Sequence, residues 1–151
     1  MKPMIQLKYS LIFSTFIYLI CTGGCATNRL VEISVPRASQ SQQFYSHDLT
    51  PTAAEQLFRQ VAAQFGLEVR GQILEQGNNG TITNYTALPG KKSPLGYAYL
   101  DLFISKNGSV FHCISDDFTK AEEMALEFKR PLDKEGVQYT VTKTTASALN
   151  N

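Results

Sequence analysis

Apolar side chains recur along this chain with two different periods, and the switches between them mark out its elements. Tyr9 to Ile20 is an uncharged, mostly apolar run of 12 residues. Leu30-Val31-Glu32-Ile33-Ser34-Val35 then alternates, with Val31, Ile33 and Val35 on one face and Pro36 ending it. This stretch, 30–35, is either a first strand that pairs with a sheet or part of an extended tether. A helical period follows: Leu57, Val61 and Phe65 at spacing four, joined by Ala54, Phe58 and Ala62, form one apolar stripe. Thr50 is placed as N-cap with Pro51 at the first helical position, Thr52 and Glu55 offer an overlapping capping box, and Gly66 ends the helix.

Alternation returns in four segments. Leu67 to Gln76 sets Leu67, Val69 and Ile73 on one face, with Gly71 a weak point or bulge. Gly77-Asn78-Asn79-Gly80 turns the chain into a β-branched, polar strand from Thr81 to Leu88, suited to a place near an edge. Tyr97 to Ser105 and Ser109 to Ser115 flank Asn107-Gly108, a strong hairpin signal. A two-residue turn there sets Ser105 opposite Val110, Ile104 opposite Phe111, Phe103 opposite His112, Leu102 opposite Cys113 and Asp101 opposite Ile114. Ala98, Leu100, Leu102, Ile104, Phe111 and Cys113 share the face predicted to be core. Tyr97, Tyr99, Asp101, Phe103, Val110, His112 and Ile114 fall on the other.

The helical period resumes in Phe118, Ala121, Met124, Ala125 and Phe128, capped by Asp116 or Asp117 and predicted to stop near Lys129, before Pro131. A last strand is expected over Val137 to Val141, with residues 143–151 frayed. The order (β)αββββαβ predicts an α+β domain over residues 50–142, with two helices packed on one face of an antiparallel-rich sheet of about five strands.

Charge gives the N-terminal run its meaning. Lys2 and Lys8 accompany it, no acidic residue occurs before Glu32, and Thr22-Gly23-Gly24-Cys25 follows. That is the order of a secretory signal. As a helix the run rises about 18 Å, short of the ~30 Å hydrocarbon thickness. Thr22-Gly23-Gly24-Cys25 resembles the lipobox of bacterial lipoproteins, with Gly24 at −1, Cys25 at +1 and Thr22 where an aliphatic residue is usual. The resemblance covers residues 1–25 and assigns no family to the rest. It implies that residues 1–24 are a cleaved signal peptide, that Cys25 is the lipid attachment to the membrane, and that residues 25–49 form a tether. Ala26 after the cysteine, where no aspartate stands, implies the outer membrane of the cell envelope, facing the periplasm. Because the uncharged segment extends to 18 residues through Ala26, an uncleaved anchor is the alternative.

Cleavage changes the composition little but informatively. Of 14 basic and 13 acidic side chains, Lys2 and Lys8 leave with the signal, so residues 25–151 carry a formal charge of −1. So near-neutral a chain lacks the basic face that nucleic acid demands, and no nucleic-acid partner is expected. Its 127 residues suit one domain able to bury about two-thirds of its surface. Of three cysteines, only Cys113 would remain free, so no intramolecular disulfide is expected.

The chemistry-bearing residues form no enzyme motif: G-x-S-x-G, S-x-x-K, C-x-x-C and a phosphate-cradling glycine loop are all missing. His112 and Cys113 are adjacent, but strand alternation sends them to opposite faces. His112 lies diagonal to Asp101 in this register, with no nucleophile beside it. His47-Asp48 lacks metal-ligand spacing, and no metal or cofactor is implied. Two function classes fit: a non-catalytic, membrane-tethered protein-binding or assembly module, or a periplasmic inhibitor or immunity lipoprotein directed at a toxin or hydrolase. An enzyme with a dispersed site is the third. Tyr97, Tyr99, Asp101, Phe103 and His112 are the candidate interface, being more aromatic than a solvated face requires. The competing expectation is that residues Val31 to Val35, or Phe44-Tyr45, fold over them as cover.

Overall fold

A computed structural model describes residues 28–37, 48–77, 80–90 and 98–145. Cys25, Phe44, Tyr45, His47 and Tyr97 lie outside the described residues. The elements are strand β1 (Arg29–Pro36), helix α1 (Pro51–Gln64), strands β2 (Leu67–Gly77), β3 (Gly80–Pro89), β4 (Ala98–Ser105) and β5 (Gly108–Ser115), helix α2 (Phe118–Lys134) and strand β6 (Thr140–Thr145). They form the expected α+β architecture: one antiparallel sheet in the order β2-β3-β4-β5-β1-β6, with both helices packed on one face.

Six strands stand where about five were expected, because the alternating stretch after residue 28 is neither tether nor cover. β1 is inserted between β5 and β6 and pairs antiparallel with both. Val31, Ile33 and Val35 point into the core at 1 %, 0 % and 3 % exposure, so the folded unit begins before residue 50. The strand over Thr81–Leu88 is not at an edge, since β3 lies between β2 and β4. Of its polar residues, Asn84 and Thr86 lie on the helix-free face, while Thr83 and Tyr85 lie on the helix side. Edge strand β2 carries a register shift between Ile73 and Glu75, a break that discourages further strands from adding there.

α1 begins as its sequence dictates. The Thr50 hydroxyl accepts from the Ala53 amide at 3.2 Å, and Pro51 costs no hydrogen bond in the first turn. Glu55 is not used for a capping box. It accepts from the Tyr85 hydroxyl at 2.8 Å and from Arg59 at 2.8 Å, ties that hold its carboxyl below the usual range. Tyr85 lies across from Gly71, and a Cβ on Gly71 would stand 2.8 Å from its ring. Gly71 is therefore not the bulge; it leaves room for an aromatic ring from the next strand.

α2 starts at Asp117, whose carboxylate accepts from the Thr119 amide at 2.9 Å. It runs past Pro131 to Lys134 rather than stopping near Lys129. A proline inside a helix costs about 3 kcal/mol. The two apolar side chains beyond it, Leu132 and Val137, are 2 % and 8 % exposed, and burying each contributes roughly 1.5–3 kcal/mol. The stop is a Schellman motif: the Val137 amide donates to Leu132, the Gly136 amide donates to Asp133, and Gly136 takes φ +67°. The last strand consequently starts at Thr140, and residues 143–145, expected to fray, belong to β6.

The β4–β5 hairpin is shifted by two residues from the expected register. Ser105 faces Gly108, Phe103 faces Val110, Asp101 faces His112 and Leu100 faces Cys113. Lys106 and Asn107 form the turn, and Gly108 follows at φ +137°. Asn107, predicted to open the turn, closes it. An even shift leaves every side chain on its own face. Ala98, Leu100, Leu102, Phe111 and Cys113 are all buried at 1 % or less, packed with Phe58 and Phe128 under the helices.

Candidate functional site

The pairings define the helix-free face strand by strand. One row crosses the whole sheet: Arg70 on β2, Thr86 on β3, Asp101 on β4, His112 on β5, Glu32 on β1 and Thr142 on β6. A row of mixed type flanks it, with Asn84 opposite Phe103, Phe103 opposite Val110, and Val110 opposite Ser34. On its other side Tyr99 pairs with Ile114, and Ile114 with Leu30. Among the described residues, no helix lies on this face.

The central row is bonded in two groups. In one, the Asn84 amide nitrogen approaches the Thr86 hydroxyl at 3.4 Å, and that hydroxyl donates to Asp101 Oδ1 at 2.7 Å. In the other, His112 Nε2 lies 3.1 Å from Glu32 Oε2, while the Ser34 hydroxyl donates to Glu32 Oε1 at 2.9 Å. The Phe103 ring stands beside the imidazole, 5.2 Å between centroids at 60°. Asp101 is half-buried, and burial pushes its carboxyl up, against the opposing pull of the Thr86 hydrogen bond and nearby His112. Asn84 is buried, only 9 % exposed, and its Oδ1 has no donor among the described residues.

Four of the sequence-predicted residues, Tyr99, Asp101, Phe103 and His112, thus share one face of two adjacent strands. Tyr97 and the lipid-site Cys25 lie outside the described residues. His112 is directly opposite Asp101 rather than diagonal, and its hydrogen bond goes the other way, to Glu32. Sequence reasoning missed Glu32, Asn84 and Thr86. Glu32 was legible as the polar half of the Leu30–Val35 alternation once β1 is seated beside β5. Nothing in the local sequence marks Asn84 or Thr86. Cys113 is on the opposite face, fully buried, and its thiol is pushed up by burial.

Chemically, the row is an acceptor-rich strip edged by aromatic rings. The Thr86 hydroxyl donates to a carboxylate rather than to the imidazole. No group of three or more His, Cys, Asp or Glu among the described residues has the arrangement to hold a metal ion. Comparison with known proteins finds no matching family model, no matching curated protein and no matching solved structure.

Proposed function

We propose that this chain is a non-catalytic bacterial envelope lipoprotein. Lipid on Cys25 holds it at the outer membrane, facing the periplasm, and its helix-free sheet face binds a partner protein. The anchor rests on the lipobox resemblance of residues 22–25. The binding role rests on one observation: a half-buried carboxylate, Asp101, sits among aromatic rings on a face that no described helix covers. A face kept only for contact with water has no need of Tyr99, Phe103 and Val110 together, all partly exposed, and clusters of this kind serve as interfaces; Ile114 and Leu30 beside them are themselves buried, at 8 % and 7 % exposure. The broad, strand-built shape of the surface favours an assembly or binding module over an inhibitor that inserts a loop.

Site-specific photocrosslinking in membranes of the native host tests this reading. A photoreactive residue at position 103 is expected to trap a discrete protein partner. The same group at Leu126, 42 % exposed on the helix side, serves as the comparison and is expected to trap none. Crosslinking from 126 alone, or from neither position, refutes the reading.

A further inference from the structure

Three features of the helix-free face bear on what it would hold. First, its charges are unbalanced: Glu32, Glu68 and Asp101 face outward from the strands against one guanidinium, Arg70. Arg70 makes no ion pair among the described residues. Second, one hydroxyl serves two neighbours, as acceptor to one and donor to the other. Thr86 takes the Asn84 amide and donates to Asp101 Oδ1, which leaves Asp101 Oδ2 and the nine-tenths-buried Asn84 Oδ1 without a donor among the described residues. A buried acceptor left without a donor is unfavourable, so Asn84 Oδ1 leaves this corner incomplete in the isolated chain. Third, the Phe103 ring borders it, directly opposite Asn84.

We infer that the Asn84–Thr86–Asp101 corner is the seat for an arginine side chain of the partner protein, with the guanidinium lying against Phe103. The inference rests on the binding-face reading above. A guanidinium is a planar fork of five N–H donors that satisfies two neighbouring acceptors at once and stacks on an aromatic ring. A lysine ammonium is a strongly hydrated point charge without that plane. A carboxylate partner is excluded by the sign of the surface. A second copy of this chain, docked by the same face, would set one acid-rich face against another. Arginine also removes the penalty on Asp101, because an opposite charge favours the ionised carboxyl that burial disfavours.

The test uses the full chain in detergent micelles, titrated with acetyl-Gly-Arg-Gly-amide and with the same peptide carrying citrulline or lysine. Citrulline has nearly the shape of arginine and no charge. The readout is the imidazole NMR signal of His112, which is one of two histidines and is assigned with His47→Gln. The arginine peptide is expected to shift it saturably, the lysine peptide to bind more weakly, and the citrulline peptide not at all. Asp101→Asn is expected to weaken binding about tenfold, the loss of one charge-assisted hydrogen bond. Phe103→Leu, which keeps the carboxylate, is expected to weaken it as well. Equal responses to arginine and citrulline, or to arginine and lysine, overturn the assignment. A partner trapped at position 103 by a chain that ignores arginine overturns this inference and leaves the binding face standing. Failure of both experiments removes both.

Discussion

Two glycines with positive φ offer a controlled measure of how firmly β1 is seated. Gly108 has φ +137° and Gly80 has φ +98°. Alanine at either position bears backbone strain of roughly 1–3 kcal/mol and gains about 0.4–1 kcal/mol from the stiffer unfolded chain. The surroundings differ. At Gly80 the nearest atom to a new Cβ is the flexible end of Lys106, 3.8 Å away. At Gly108 a Cβ would stand 2.2 Å from the Val35 carbonyl oxygen, 2.9 Å from the Arg37 amide and 3.0 Å from Pro36 Cα. These are backbone atoms, so the end of β1 must withdraw. That breaks the 2.9 Å bond from the Arg37 amide to Asn107, worth about 1 kcal/mol. It also loosens Val35, whose burial is worth roughly 1.5–3 kcal/mol. Gly108→Ala is therefore expected to cost about 2 kcal/mol more than Gly80→Ala. Urea denaturation followed by far-UV circular dichroism and tyrosine fluorescence reads the difference, the chain having no tryptophan. Equal losses in the two variants would mean that β1 is not held by close backbone contact at the hairpin.

Three further outcomes are expected. Burial raises the Asp101 carboxyl, so its contribution to stability is complete below the unfolded value and is lost as pH rises through the folded one. Asp101→Asn should thus melt above the wild type at neutral pH and converge with it in acid; an asparagine variant that melts lower at pH 7 shows that the Thr86 bond outweighs desolvation. Cys113, fully buried with its thiol pushed up, should resist a polar alkylating reagent until the chain is denatured, and rapid labelling of native protein contradicts the core placement. Cys25→Ser should release the protein from the membrane or leave it unprocessed, because stable anchoring takes two or more acyl chains; a matured variant that stays bound, or wild type that fractionates with the inner membrane, counts against the lipid assignment.

Strand identity was legible wherever alternation was strict. Faces survived even where pairing did not, because the hairpin slipped by an even number of residues. What the sequence could not convey were distances between elements. Glu55 satisfies a local capping rule, yet Tyr85, 30 positions away, claims its carboxylate. Pro131 satisfies a local stop rule, yet burial of Leu132 and Val137 carries the helix past it. Gly71 reads as a defect along its own strand and becomes a recess only when Tyr85 arrives opposite. The candidate face followed the same division. Its β4 and β5 members were read from alternation, whereas Glu32 and the Asn84–Thr86 pair required knowing which strands are neighbours.

The place of β1 in the sheet also governs the order in which the molecule can be finished. β2 through β5 form a run of neighbours that pair as they emerge. β1 is synthesised before all of them, yet its partners come late: Arg29 pairs with Ser115 and with Thr145, 86 and 116 positions onward. Contacts of such long span are entropically slow to close. Until β6 arrives, β1 is an edge with unpaired backbone groups, held in the sheet through β5 alone. The half of the polar row built on β1 therefore becomes durable only after the C-terminal strand is in position. A chain that stalls or is clipped before Thr140 would retain Asn84, Thr86 and Asp101 while presenting β1 as a sticky edge on the far side of β5, and would be prone to pair with other chains rather than with its intended partner.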